Sequence, residues 1–420
     1  MNLPLIERYS TFIGFFSLIF LWDVSLSWFN ARLLILLPFF IVIINFKKSH
    51  IRIGLLSLGI SLLILTHSLF STFSFSYNHR SIIAATGLFT ILFLCLTKYD
   101  YIKKEFEHFV IVIICLAFLD HIINLNESIS NRGQCLTVSF LDVPIYLYLE
   151  RSHFGMMAPT IIMVMILRLS KKLTAFNIIV FLIANALFMV STSMTLIGGI
   201  ILSIFGIIIS NYSHIIKADF GTRFIVFSLY TIIFALCLYF ISPGCQDRVV
   251  ELGHTAILNK EKTSELKKQQ VNNLSSAVIL NHLNVAIFSL INEPLGYGIN
   301  KYETAFNQFT ETQKSNELVG TFVYFSSIHY KQLRHLNYND GASNLFKLVA
   351  EYGYFSFIIF FIIIYYSFSK NIQFEEKLFL VPIVITQMCR GAGYFNGGFL
   401  FCFIFMCYSI YNSIIKSQFK

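Results

Sequence analysis

Residues 53–73 read IGLLSLGISLLILTHSLFSTF, a run without Asp, Glu, Lys or Arg. As a helix rising 1.5 Å per residue, it is about 31 Å long, which matches the hydrocarbon core of a bilayer. Working outward from it, comparable apolar runs lie at 10–29, 33–46, 81–97, 106–124, 154–169, 174–190, 196–210, 224–242, 345–368, 378–390 and 399–415. Together they predict an all-α, polytopic integral membrane protein of about twelve transmembrane helices. Composition agrees: 56% of the 420 residues are hydrophobic, only 13% are charged and 46 are Phe, more apolar surface than a soluble core absorbs. A net charge of +9 would suit nucleic acid, but membrane proteins gather Lys and Arg in cytoplasmic loops, so no nucleic-acid partner is expected. The charge pair Glu7 and Arg8 precedes a run holding Asp23 and lacking an A-x-A-like site, which reads as an uncleaved first span.

Charge sets the orientation. With the N-terminus inside, the short inner segments carry Arg8, Lys47, Lys48, Arg52, Lys98, Lys103, Lys104, Arg168, Lys171, Lys172, Lys217, Arg223, Lys370, Lys377, Lys416 and Lys420. The short outer segments carry Arg32, Arg80, Arg132, Arg151 and Arg390. Sixteen against five is the asymmetry of the positive-inside rule, and it places both termini in the cytoplasm. One outer connection is long, 243–344, and such loops are largely exempt from the rule. Within it, 272–292 has a broad apolar face. Crossing there would invert every later loop, and Ser275, His282 and Ser289 recur every seven residues, so this stretch is expected to lie along the interface. Pro294 ends it, and Gly296 with Gly298 supplies a turn.

Chemistry is sought among polar residues that a bilayer should exclude. Asp23, Asp120 and His121 fall in outer portions of spans, and Arg80, Arg151 and Arg390 at outer ends, so a polar chamber opening outward is expected. Glu150, Arg151 and His153 open a span containing Pro159, and Arg390 opens RGAGYFNGG, whose four glycines let backbone approach a ligand. All five outer short-segment cations are Arg, whereas twelve of the sixteen inner ones are Lys. A guanidinium fork binds phosphate bidentately and keeps its charge in a low dielectric, which suits a pyrophosphate at the membrane surface. At the end of the long loop stand Arg334, His335, Asp340 and Asn344, and Glu351 sits two turns into the following helix. Glu351 or His335 could take a proton from an acceptor hydroxyl, with Asp340 or Glu150 next in line. Arg248 or Arg334 would reach in from the long loop as a further cation. No metal-spacing Cys/His set, P-loop or dinucleotide fingerprint occurs, so neither metal nor cofactor is expected. Cys95, Cys115, Cys237, Cys402 and Cys407 lie in spans as small apolar residues, while Cys135 and Cys245, both in outer segments, are expected to form a disulfide with each other, Cys389 being the competing partner.

The layout resembles the O-antigen polymerase and ligase superfamily, membrane glycosyltransferases of GT-C-like architecture. The local matches are STSMTLIGG at 191–199, EPLGYG at 293–298, GASNLFKLVAEYG at 341–353, RGAGYF at 390–395 and ERSHFGMMAP at 150–159. Two departures stand out. Asn281 and His282 occupy the helix where relatives often carry Arg, and Ser343 and Asn344 stand where ligases usually show His-Asn, which weighs against a ligase. The resemblance implies polymerisation of undecaprenyl-pyrophosphate-linked oligosaccharides on the periplasmic face of a bacterial inner membrane. The residues expected from their placement to serve that activity are Glu351, His335 and Asp340 for acid–base work, with Arg151, Arg390, Arg248, Arg334, Glu150, His153 and Asn344 binding substrate. Membrane lipids and a chain-length regulator are the other partners to be expected. The alternatives are a ligase moving glycan to a lipid-A core, or a flippase for lipid-linked oligosaccharide, against which the long outer loop speaks.

Overall fold

The computed structural model describes residues 3–21, 25–26, 29–71, 79–123, 151–190, 194–241, 274–312, 338, 341–369, 372–391, 393, 399, 402 and 406. They are helical apart from turns and one hairpin of two-residue strands, Ser25–Leu26 and Phe29–Asn30. The helices are α1 (Leu3–Phe20), α2 (Leu36–Ile44), α3 (Lys48–Phe70), α4 (His79–Thr97), α5 (Tyr99–Ile123), α6 (Arg151–Lys171), α7 (Ala175–Val190), α8 (Met194–Lys217) and α9 (Gly221–Ile241). After the long connection come α10 (Leu274–Asn292), α11 (Tyr302–Thr312), α12 (Asn344–Tyr352), α13 (Phe355–Phe368) and α14 (Phe374–Cys389).

Every apolar run up to 390 coincides with a helix, but several boundaries differ. The run at 10–29 is helical only to Phe20, and the hairpin follows. The run at 345–368 is divided at Gly353, whose φ of +53° a helix cannot hold. Its first part, α12, has nine residues, about 14 Å, too short to cross; only α13 is uniformly apolar. The fourth and fifth runs meet at Lys98 with a turn of 89° between Ser81–Thr97 and Tyr99–Leu119. By length and composition, two described helices can cross a bilayer outright, Lys48–Phe70 and Ile197–Lys217, and the bent pair makes a third if it is one span. Ala31–Ile44, Ala175–Leu187, Gly221–Cys237 and Phe355–Phe368 are apolar but shorter. Of the run at 399–415 only Phe399, Cys402 and Met406 are described, all helical and buried, and the pair Cys135 and Cys245 lies outside the described residues.

The interior centres on α6, where Ile161 through Leu167 are at most 1% exposed. Around it pack α7, α8, α9 and α14. Gly199 of α8 permits the closest approach, because a Cβ there would collide with Thr386 of α14 and touch Pro159 of α6. The outward faces are also apolar: Leu58, Leu62 and Leu63 on α3, Val226, Leu229 and Ile233 on α9, and Phe357, Ile358 and Phe361 on α13 are exposed. Large exposed apolar faces on several helices suit contact with hydrocarbon rather than water.

The two ends of this bundle differ in chemistry. At one end Arg8 pairs with Glu105, Lys98 with Glu7, Lys103 with Glu376, Arg168 with Glu107 and Lys171 with Glu375. These ties join the start of α1, the α4–α5 junction, the end of α6 and the start of α14. Burial opposes ionisation of Glu375, but hydrogen bonds from its own amide and from Lys171, with Lys171 and Lys103 charge nearby, pull its carboxyl below the usual range. Every cation in this belt belongs to the segments assigned to the inner side by charge. The opposite end holds the turn after α10, the ends of α3 and α14, and the start of α4.

Candidate functional site

The turn at 293–301 is built by sequence-specific backbone demands. Gly296 and Gly298 take φ of +79° and +94°, and Asn300, whose short side chain tolerates the left-handed region, takes +56°. A Cβ on Gly296 would collide with the Glu351 carbonyl, and one on Gly298 with Ser68. The turn thereby reaches the C-terminal carbonyls of α12: Tyr297 N–H donates to Ala350 O at 3.0 Å and Gly298 N–H to Glu351 O at 2.8 Å. It also docks on α3 and α4. The His67 ring Nε2 lies 3.0 Å from Leu295 O, Ser81 Oγ donates to Ile299 O at 2.9 Å, and Lys301 Nζ to Ser68 O at 3.3 Å.

Glu351 locks this turn to α11. Its Oε2 accepts the Asn300 N–H at 2.9 Å and its Oε1 the Tyr302 N–H at 3.0 Å. A carboxylate at the start of α11 satisfies orphan donors and favours the positive end of the helix dipole. The side chain is 0% exposed. Burial pushes its carboxyl up to about 7, against the pull of Lys347 and the amides of Asn300, Tyr302 and Lys301. Burial also lowers the Lys301 ammonium, and it raises the Tyr302 hydroxyl, which the Glu351 charge raises further. Tyr302 Oη lies 2.6 Å from His282 Nδ1, whose ring stacks on Phe306.

Two residues of the polar stripe of α10 face inward. His282 and Ser289 are both 0% exposed and α10 packs on α11 and α12, whereas Ile287 and Ile291 point outward. The histidine of that stripe finds its hydrogen-bond partner inside, on Tyr302 of α11.

The start of α12 is a second polar centre. Ser343, at the N-cap, makes no capping bond; its hydroxyl donates to Met388 O of α14 at 2.6 Å. Asn344 Nδ2 donates to Gln387 Oε1 at 3.2 Å, and the Asn344 amide is pressed by Gly391, where a Cβ would collide with it. The next residue back on the chain from Gly391 is Arg390, half-buried at the C-cap of α14. The first turn of α12 thus meets the arginine end of α14.

Of the residues singled out from sequence, Asn344 and Arg390 are brought together here, and Glu351 lies two turns along the same short helix. Arg151 and His153 occupy the first turn of α6, with side chains outside the described set. Because Pro159 and Thr386 flank Gly199 at one level, the α6 turn of Arg151 and the α14 end bearing Arg390 lie toward the same end of the bundle. Glu150, Arg248, Arg334, His335 and Asp340 lie outside the described residues. Sequence reasoning passed over Gln387, Tyr302 and Lys347. A glutamine in the otherwise apolar 378–390 and a lysine near the start of 345–368 were signals that could have been used. Among the described residues no group of three His, Cys, Asp or Glu side chains is arranged to hold a metal ion.

Fold and composition define the class: an all-α chain with helices able to span a bilayer. No family model, curated protein or solved structure gives a significant match to it.

Proposed function

We propose that this chain is a twelve-span glycosyltransferase of the bacterial inner membrane that polymerises lipid-linked oligosaccharide repeats on the outer face. The observation that supports it most is the meeting of the uncapped start of α12 with the Arg390 end of α14, at the opposite end of the bundle from the ion-pair belt. Helix-start amides and a guanidinium together suit an anion such as pyrophosphate. Arg151 would enter from α6, and Arg248 or Arg334 from the long connection.

In this reading a base takes the proton of an acceptor sugar hydroxyl as its oxygen attacks the donor's anomeric carbon. The bond from that carbon to the pyrophosphate oxygen breaks, a glycosidic bond forms, and the lipid pyrophosphate leaves with the electron pair. Arginines offset the charge developing on the leaving group. Glu351 has both carboxylate oxygens engaged by main-chain amides, so His335 is the preferred base, followed by Asp340 and Glu150.

The test is the surface glycan of a deletion strain. Single repeats on the cell surface, restored to a ladder by the wild-type gene, support a polymerase. Unexposed repeats would mean a flippase, and full-length polymer left on the carrier lipid a ligase.

A further inference from the structure

Among the described residues, two buried side-chain amides at this end of the bundle have polar atoms without a hydrogen-bond partner. Asn344 spends its N–H on Gln387, and its Oδ1 has none; Asn281 on α10, the helix packed beside α12, has none at either Oδ1 or Nδ2. Both residues are at most 1% exposed, so no water shell serves them. Orphaned polar atoms are costly in a folded interior and are commonly explained by a role outside the fold. Gly391 lies against the Asn344 amide and leaves it little room to move aside.

The chemistry of these atoms is selective. A carbonyl oxygen repels phosphate oxygens, so Asn344 Oδ1 is a poor ligand for the anion itself, although it sits in the first turn of α12. It is a good acceptor for a hydroxyl or an amide N–H. Asn281 offers one acceptor and two donors, a set that suits neutral hydroxyls equally.

We propose that Asn344 and Asn281 read the sugar attached to the pyrophosphate, accepting and donating hydrogen bonds to its hydroxyl or acetamido groups as it enters between α10, α12 and α14. This rests on the pyrophosphate reading given above and adds a sugar subsite to it. Arg390 then holds the charge, and the amides discriminate what the charge carries.

The test uses the full chain in lipid nanodiscs and two probes, a short prenyl pyrophosphate and the same lipid bearing one N-acetylhexosamine. Asn344→Ala and Asn281→Ala are measured separately, so that the comparison survives if one variant misfolds, and thermal unfolding checks each. Loss of one neutral hydrogen bond should weaken the sugar-bearing probe about three- to tenfold and leave the sugar-free probe unchanged. Equal weakening of both probes, or of neither, in both variants would overturn the subsite while leaving the pyrophosphate reading intact. A wild-type protein that binds neither probe would overturn both.

Discussion

The carboxylate of Glu351 accepts the backbone N–H of Tyr302 at 3.0 Å, so a side chain from one short helix closes the start of another. The two residues are 49 positions apart in sequence. That single group ties α12, the glycine turn and α11 into one unit.

Replacing Glu351 tests this tie. In Glu351→Gln one acceptor becomes an N–H that faces a main-chain donor, which should cost about 1–3 kcal/mol of stability. The pH dependence has a definite sign. Folding raises this pKa from the ordinary 4.5 to about 7, so the folded protein holds the proton more tightly than the unfolded chain. Its contribution is fully present below the unfolded value and is lost as pH rises through about 7. Thermal unfolding in detergent across pH 5 to 8.5 should show this decline in the wild type and a weaker one in Glu351→Gln. Identical profiles would remove Glu351 from the account.

Gly298 leaves no room for a side chain. Its φ is +94° and its Cα faces Ser68 closely, so Gly298→Ala combines backbone strain with a clash. A loss of about 2 kcal/mol or more is expected, with faster amide exchange at Leu295–Lys301 and at the end of α3. Wild-type exchange in that variant would mean that the turn is not the junction described.

The ion-pair belt makes a topological prediction. Lys103 and Lys171 bond to Glu376 and Glu375 at one end of the bundle, the end that charge bias in the sequence predicts to be cytoplasmic. Single cysteines at Lys103 and Lys171 should resist an impermeant thiol reagent added outside, whereas cysteines at Asn131 and Lys267 should react. Labelling at Lys171 without labelling at Lys267 would invert the orientation.

Apolar runs were legible because hydrophobic length is a local property, and every run through 390 became helix. The division of 345–368 was not, because it depends on Gly353 meeting Pro294 and Gly296, contacts far away in sequence. Gly296 and Gly298 announced a turn, yet their tight fit against Glu351 and Ser68 is a tertiary fact. Glu351 itself stood out as a carboxylate in an apolar stretch. Its sequence suggested a base; the distances to Asn300 and Tyr302 show a clasp, which no spacing rule reveals. Arg390, Asn344 and the glycine stretch holding Gly391 were marked from sequence, but Gln387, to which Asn344 donates, was not.

The phosphate role of Arg390 is separable from a mere membrane anchor. Arg390 caps α14 beside Gly391, which lies against Asn344, so it is rooted next to the start of α12. If it binds pyrophosphate through a planar fork, geometry matters as much as charge. Lysine keeps the charge and loses the fork, so Arg390→Lys should be impaired nearly as much as Arg390→Ala, whereas an anchor that only reaches for headgroups would tolerate lysine. Loss of one charge-assisted pair is worth about 1.5–3 kcal/mol, or about ten- to a hundredfold in rate if the pair acts in the transition state. The readout is the length distribution of surface glycan in cells making equal amounts of each variant. Both substitutions should shorten the ladder; a wild-type ladder from Arg390→Ala would exclude this arginine from the clamp, and rescue by lysine alone would reduce it to a point charge.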